Sequence, residues 1–441
     1  MIKQFQKSLS VLKITKATPV LIAVSGGVDS MVLLKLCSDY FQHYAIAHCN
    51  FNLRGVESDA DEQFVKEQAA NFQSQFFTER FNTKEVASQQ KISIQMAARK
   101  LRYEWLEKIR AQYKFHFILT AHHQDDSIET VLLNLIKGTG IHGLHGIQPH
   151  QGKIIRPLLF SNKSDIEKFA KDNKIFFRED LSNLKTDYQR NFIRKKIIPL
   201  FEELNPSFSK TFSKNIQHFT EAEDLFNEAI SGRKKKIISV RNGNPELNIA
   251  SLLSNKSPRT LLYEILNAYN FDESIVEQLF DSLLNESGKE FFSATHRVVL
   301  DRNRLIILSN QKTEFPVYLI NELGDKKYSA GKFEIEIRLK SATSRNRNGL
   351  LELDADKINA PVILRPWKAG DYFHPEGMQG KKKKLSDFFV SEKLSLNEKE
   401  EQYVLEDSFR KIICVIGRRV DHHFSVSNKT KKYLTVQVNE K

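Results

Sequence analysis

Residues 19–24 read PVLIAV, and SGGVDS follows without a break. An unbroken apolar run of strand length has no polar face to offer water, so it reads as a strand covered on both sides. The two glycines after it permit a tight turn, and the residues from Asp29 to Tyr40 carry a helical pattern. A buried strand that turns sharply into a helix commits this part of the chain to layered α/β structure. The pattern then repeats. YAIAHC reads as a second strand, an acidic helix runs from about Asp59 to Phe72, and SQFFTERF reads as a third strand. SIQMAARKLRYEWLEKIRAQY is a long amphipathic helix, FHFILTAH a fourth strand, and SIETVLLNLIKG a helix closed by Gly138. The expected fold is α/β: a doubly wound, mostly parallel sheet with helices on both faces, binding ligands beyond the carboxyl ends of its strands.

The pattern changes near Asn205-Pro206. Helices are expected from there to about residue 285, broken by a hairpin or loop within RKKKIISVRNGNPELNIA. Beyond residue 290 the chain is rich in strand patterns: HRVVLDRNRLIILS turns at Asp301–Asn303, KFEIEIRLK alternates, and RKIICVIGRRV and YLTVQV follow. The expected organisation is a catalytic domain over 1–210, a mainly helical middle domain over 211–312 and a small α+β domain over 313–441.

Composition enters through charge and cysteine. A formal charge of +13 and a pI near 9.3 favour a polyanionic partner such as nucleic acid. Cys37, Cys49 and Cys414 are too few and too scattered for a disulfide scaffold or a thiolate metal centre. No signal-peptide pattern opens the chain and no apolar run reaches the ~20 residues that span a bilayer, so a cytoplasmic protein without membrane partners is expected.

The glycine turn is not a Walker loop, which requires GxxxxGK[ST] with a lysine on the terminal phosphates. It is not GxGxxG either. Its exposed amides, the hydroxyls of Ser25 and Ser30 and the helix N-terminus nevertheless make an anion cradle. Asp29 at the edge cannot grip phosphate, but can hold Mg²⁺ against it. A second cluster lies in TAHHQDDSIET, residues 120–130. Asp125 and Glu129 are four apart on one helix face, Asp126 lies beside them, and His122 and His123 precede them. Acids favour any helix N-terminus, yet that does not account for the histidine pair. Zinc ligation fits no common spacing. Recognition of a cationic, amine-bearing substrate uses every group present.

AVSGGVDSMVLL resembles the PP-loop of the N-type ATP pyrophosphatases, which split ATP between the α and β phosphates and transfer AMP to a substrate oxygen. HCNFNLRGVESDADE, AARKLRYEWL, TAHHQDDSIETVLLNLIKGTGIHGLHGI, IIRPLL and EDLSNLKTDYQRNFIRKKIIPLFEELNP follow in order, and RPWKAGDYFHPEGMQGKKKKLSDFF lies near the other end. Together they resemble the tRNA(Ile)-lysidine synthetase family. One departure is visible: where that family often has a histidine and a glycine, this chain has Phe51 and Asn52. Asn52 still tolerates a left-handed turn, but Phe51 cannot supply a catalytic imidazole.

The resemblance implies an ATP-dependent carbon–nitrogen ligase that replaces the C2 oxygen of the wobble cytidine in the CAU anticodon of tRNA(Ile) with the amine of free L-lysine. The cytidine is first adenylated, pyrophosphate and then AMP leave, and codon specificity moves from AUG to AUA. Carried onto this chain, the ATP-binding residues are Ser25, Gly26, Gly27, Val28, Asp29, Ser30 and Arg99, with Asp29 holding Mg²⁺. Asp125, Asp126 and Glu129 bind lysine, and Asp29, His122, His123 and Asp126 are catalytic. Arg102, Arg190, Arg194, Lys195, Lys381, Lys382 and Lys383 contact tRNA; the dense run Arg233–Lys236 is a further candidate. Trp367 is expected in a core rather than stacked on a nucleotide. The oligomeric state is left open, a homodimer included. Three rivals remain: a tRNA thiolation enzyme on the same loop, which needs a carrier cysteine or an iron–sulfur site; an amidating ligase, which needs a glutaminase module; and an RNA-binding module with a dead loop.

Overall fold

The structure is a computed structural model that describes residues 1–178, 189–241, 243–284, 288–310, 315–330, 333–341 and 350–440. The chain divides into two compact units, Met1–Glu228 and Ala229–Lys441. The division falls inside one helix, Phe208–Ile237, which also contains the boundary expected at 210.

In the first unit, β1 (Val20–Ala23), β2 (Tyr44–Asn50), β3 (Gln75–Arg80), β4 (Phe117–Leu119), β5 (His150–Gln151) and β6 (Ile154–Ile155) form one sheet in the order β3-β2-β1-β4-β6-β5. β1 lies parallel between β2 and β4, with Val20 opposite Tyr44 and Phe117, and only β5 runs antiparallel. The helices are α1 (Ile2–Val11), α2 (Val28–Tyr40), α3 (Val56–Asn71), α4 (Thr83–Gln90), α5 (Ile94–Gln112), α6 (Gln124–Lys137) and α7 (Lys163–Asp172). The unbroken apolar run is explained by the two faces it serves. Val20 and Ile22 pack with Met31, Leu33 and Leu34 of α2 and with Ile166 of α7. Leu21 points the other way, into Ala45, Ala47, Ile118 and the Trp105 and Leu106 of α5. Both faces are dry, and truncating a side chain such as Leu21 to alanine costs about 2–5 kcal/mol.

The expected strands and long helices are present, α2 beginning at Val28 and α3 at Val56. The fourth strand is shorter than FHFILTAH: β4 stops at Leu119, although the Thr120 amide still donates to the Ile155 carbonyl at 3.0 Å and His123 forms an isolated parallel bridge with Leu158 before α6 begins. The parallel order puts the ends of β1, β2 and β4 side by side, so the glycine turn and the acid cluster meet. The first ten residues of EDLSNLKTDYQRNF, 179–188, lie outside the described residues.

In the second unit, the end of helix Phe208–Ile237 leads into the hairpin expected within 233–250: Ile238–Arg241 pairs with Asn244–Asn248. That hairpin belongs to a five-stranded antiparallel sheet with His296–Asp301 and Arg304–Ser309, whose turn carries Arg302 at φ 53°. Helices Pro258–Leu266 and Glu273–Ser282 accompany it. The remaining strands, among them Phe333–Lys340, Ile412–Val415 and Tyr433–Glu440, form sheets around a core that includes Leu364, Leu405 and Leu434. Trp367 packs edge-on against Phe389 and donates its Nε1 hydrogen to the Lys399 carbonyl at 2.5 Å, as a core residue does. Among the described residues no helix is long and apolar enough to cross a membrane.

Candidate active site

At the end of β1 the chain turns through Gly26, whose φ of +95° is left-handed territory. A Cβ there would only meet Phe64 and Val65 of α3 in ordinary contact, at 3.5 and 3.4 Å, so it is the backbone angle that calls for glycine. The Ser30 hydroxyl oxygen accepts the amides of Ser25 and Gly26, both at 3.2 Å, and donates to the Gly27 carbonyl at 2.9 Å. Backbone N–H groups therefore converge on one point at the start of α2, the geometry of an anion cradle. Ser25, Asp29 and Ser30 line a cavity of about 400 Å³ together with Phe51, Arg102, Thr120, His122 and Asp126. Asn52 turns left-handed at φ 49° and Phe51 stacks on Phe81, so the hydrophobic residue is absorbed without losing the turn.

Of Arg99 and Arg102 on α5, Arg102 lines this cavity and lies over the Phe51 ring at 5.2 Å. Arg99, expected on ATP, is exposed and lies over Tyr103 at 5.0 Å, and it is not among the residues lining the cavity. The two lie one turn apart on the same side of α5, and the turn that carries Arg102 is the one that reaches the cavity.

α6 opens with a reciprocal cap in which the His123 amide donates to Asp126 Oδ2 at 3.0 Å. His123 is buried, its Nε2 3.9 Å from Asp29 and 3.6 Å from Asp126, its Nδ1 3.7 Å from Asp125. Burial pulls Asp126 toward the neutral form, but His123 and Arg190 outweigh it and hold the carboxyl below its ordinary range. His122 meets the Thr120 hydroxyl at 2.9 Å. Burial, reinforced by Arg156, Arg190 and Arg102 against the pull of Asp126, lowers its imidazole to about 4. It is therefore uncharged at neutral pH.

Glu129 is fully buried. Arg190 Nε donates to it at 2.8 Å, and Arg194 donates through Nε at 2.5 Å and Nη2 at 3.1 Å. The guanidinium groups expected on tRNA are thus turned inward onto this carboxylate. Burial disfavours the charged Arg194, yet the Glu129 contacts prevail and raise it. Lys195 sits half-buried in the π-helical turn Ile193–Ile197. A second cavity of about 430 Å³ lies here, lined by Asp125, Glu129, Glu167 and Glu202 with Lys163, Arg194 and His123.

Several of these groups escaped the sequence reading. Lys163, the first residue of α7, places Nζ 2.7 and 2.9 Å from the two oxygens of Asp29. Its own amide is held by Asp125 Oδ2 at 2.8 Å. A lysine in the first turn of a helix opposes the macrodipole, and that was the available signal. Glu167 and Glu202 reach the second cavity only through packing of distant helices. Arg178 binds Asp61 at 2.6 Å and Glu57 at 2.8 Å, while its amide donates to the Gly26 carbonyl at 2.9 Å, tying the turn to α3. The loop after α6 is pinned to helix Phe208–Ile237, where His142 and His145 each place Nδ1 2.6 Å from Glu223. Burial raises that carboxyl, but the two imidazole hydrogen bonds dominate and lower it.

Mg²⁺ prefers hard oxygen donors, and Asp29 and Asp126 supply carboxylates to the first cavity beside the anion cradle, so the donor set fits the ion. Among the described residues, the one group of three metal-ligating side chains in close convergence is elsewhere: His374, Asp421 and His423. There the Asp421 carboxylate already accepts the amides of His374 at 2.6 Å and His423 at 2.9 Å.

The glycine turn at the end of a buried parallel strand, sharing a cavity with the carboxylates of Asp29 and Asp126, defines a nucleotide-using α/β enzyme of the PP-loop class. Residues 1–201 match the family model described as "PP-loop domain", and residues 241–311 match "TilS substrate binding domain". The chain is 38% identical over 421 residues to the tRNA(Ile)-lysidine synthase of Parabacteroides distasonis, covering 95% of each chain. It is 38% identical over 422 residues to that of Bacteroides thetaiotaomicron, again 95% of each, and 30% identical over 427 residues to that of Bacillus subtilis, 91% of this chain and 90% of that one. The chain belongs to the tRNA(Ile)-lysidine synthase family, whose members are ATP-using ligases.

Proposed function

We propose that this protein joins free L-lysine to C2 of the wobble cytidine of tRNA(Ile) carrying a CAU anticodon. The C2 oxygen attacks the α-phosphorus of ATP and pyrophosphate leaves. The lysine amine then attacks C2, and AMP departs with the original oxygen. The observation that carries the reading is the pair of cavities flanking the first turn of α6, one bordered by the anion cradle and the other by carboxylates.

The first cavity receives the nucleotide phosphates on the amides of the glycine turn. Asp29 and Asp126 would hold Mg²⁺, which neutralises the charge developing on the departing pyrophosphate. Arg102 supplies a fixed positive charge on the Phe51 side. His122, uncharged at neutral pH, adds no cation to repel the incoming amine. The second cavity receives lysine. Its lining carries the carboxylates Asp125, Glu129, Glu167 and Glu202 against the cations Lys163 and Arg194, a net negative surface suited to an ammonium. Glu129 is neutralised by its arginines, so Asp125, Glu167 and Glu202 are the carboxylates that face the substrate.

The thiolation alternative is disfavoured by the cysteines. Burial pushes Cys49 and Cys414 up to about 12 and raises Cys37 as well, so none is a ready thiolate. Lys381, Lys382 and Lys383 are proposed tRNA contacts. The test is incubation with ATP, isotopically labelled lysine and a tRNA(Ile) transcript, followed by mass spectrometry of the anticodon nucleoside. A cytidine carrying the labelled lysine with stoichiometric AMP is expected. AMP formation without that mass, or incorporated sulfur in a cell extract, would refute the assignment.

A further inference from the structure

The glycine turn has no lysine of its own, yet ATP brings a polyphosphate of high charge. The cations lining the two cavities are Arg102, Arg194 and Lys163. Arg194 is committed to buried Glu129, and Arg102 sits over Phe51 in the first cavity. Lys163 differs from both. Its ammonium lies at the lip of the cradle, on Asp29, one residue from the hydroxyl on which the Ser25 and Gly26 amides converge. Its side chain is 39% exposed, so the four-carbon stem is free to pivot.

The backbone beneath it is fixed. Asp125 holds the Lys163 amide at 2.8 Å, the Ser161 carbonyl accepts the Gln124 amide at 2.9 Å, and Asn162 caps α7 through the Asp165 amide at 2.8 Å. Asp125 thus ties the start of α6 to the start of α7 at the residue whose ammonium reaches the glycine turn. A lysine at a helix N-terminus is electrostatically unfavourable unless an anion repays it. Asp29 supplies one carboxylate, which a divalent cation also seeks.

We propose that Lys163 is the phosphate-gripping lysine that the glycine turn lacks, and that its ammonium binds the β- and γ-phosphates of ATP. On nucleotide binding Nζ exchanges Asp29 for the polyphosphate, and Asp29 becomes available to the magnesium ion. The role depends on nucleotide use alone and holds for any acceptor of the AMP group.

The experiment is calorimetric titration of the full-length protein with ATP and, separately, with AMP, in magnesium buffer without tRNA or lysine. Lys163→Met keeps the length of the stem and removes the charge; Lys163→Arg keeps the charge. A charged hydrogen bond to phosphate predicts roughly 10- to 100-fold weaker ATP binding in Lys163→Met. AMP binding should be unchanged, which also shows that the site is formed. Lys163→Arg should recover most of the ATP affinity. Equal losses for ATP and AMP would mean that Lys163 merely holds Asp29 in place, and would overturn the proposal. Unchanged ATP affinity would overturn it as well. Either result leaves the transfer of lysine to cytidine standing, since that is read from the nucleoside.

Discussion

The first turn of α6 and the basic stretch Lys381–Lys384 are both dense in charge, and they are built on opposite principles. At α6 the carboxylates are each held by a defined partner, a cation or a backbone amide. Glu129 is fully buried between Arg190 and Arg194, Asp29 lies on Lys163, and Asp126 caps its own helix. At 381–384 no acid answers the lysines among the bonds of the described residues. Lys381 and Lys384 are exposed, Lys382 sits over the Tyr372 ring at 3.5 Å, and Lys383 reaches the Ser391 hydroxyl at 2.8 Å. The first arrangement fixes atoms in place inside a low-dielectric site, where position decides the rate. The second broadcasts positive potential into solvent, where only the sum of charge matters. Substitution should therefore act sharply and individually in the first region, and weakly and additively in the second.

The largest expected effect is at Asp29. Removing a carboxylate that organises transition-state charge costs roughly 10³-fold in turnover. Asp29→Ala should lower the rate of AMP release by about that factor while the fold survives, because the residue is partly exposed at the cavity lip. Near-normal AMP release would show that α6 and the glycine turn are not a charge-positioning site, and the contrast with 381–384 would collapse.

Next is Arg194→Ala. Stripping one partner from a buried carboxylate costs about 3–5 kcal/mol, reduced here to about 2 kcal/mol because Arg190 remains and Arg194 is 41% exposed. In a Glu129→Gln background the same substitution should cost far less, since no buried charge is left behind. Urea unfolding of the four proteins measures the coupling. Additive costs would mean that the pair is ornamental.

These two cases also mark what the sequence could and could not reveal. PVLIAV followed by SGGVDS shows its strand, turn and helix locally, because burial on both faces leaves an unbroken apolar run and left-handed backbone calls for glycine at Gly26. The acids of α6 were visible through their spacing. Their partners were not. Arg190 and Arg194 lie about 60 residues from Glu129, and Lys163 lies 134 residues from Asp29. A charge in a sequence has no direction, and only the docking of α7 and of residues 189–197 against α6 turns these side chains inward. Nor could the sequence show that Arg102 rather than Arg99 lines the cavity, because which turn of a helix abuts a cavity is a tertiary property.

A smaller effect is expected from pH. The folded protein holds His122 at about 4, below the ~6.5 of an unfolded chain. Above pH 6.5 neither state is protonated and the residue is neutral to stability. As pH falls from 6.5 toward 4 the unfolded chain takes up a proton that the folded state refuses, so unfolding becomes easier; below about 4 the penalty levels off. At pH 5 it amounts to about 2 kcal/mol. His122→Gln should flatten the decline in melting temperature between pH 7 and 5. An identical decline in both proteins would place the acid sensitivity elsewhere, with Glu223 the next candidate at lower pH, since its depressed pKa confines its loss to the range below the ordinary carboxyl value.

The smallest individual effects belong to Lys381, Lys382 and Lys383. If these lysines meet RNA phosphates, each replacement by alanine removes one counterion-releasing contact and lowers the slope of log affinity against log salt by about 1. The losses should add across the three sites, should shrink as salt is raised, and should be indifferent to the sequence of the RNA, because a point charge on a flexible stem reads no base. Fluorescence titration of a labelled tRNA at several ionic strengths distinguishes this from a structural role. Lys382 is the informative case, since its ammonium already rests on the Tyr372 ring and could serve the hairpin formed by Tyr372–Phe373 and Lys383–Lys384 instead. A Lys382→Ala variant that loses stability but keeps the wild-type salt slope would assign that lysine to the fold. The comparison would then narrow to one between a paired site and a patch of which only the exposed members carry the long-range charge.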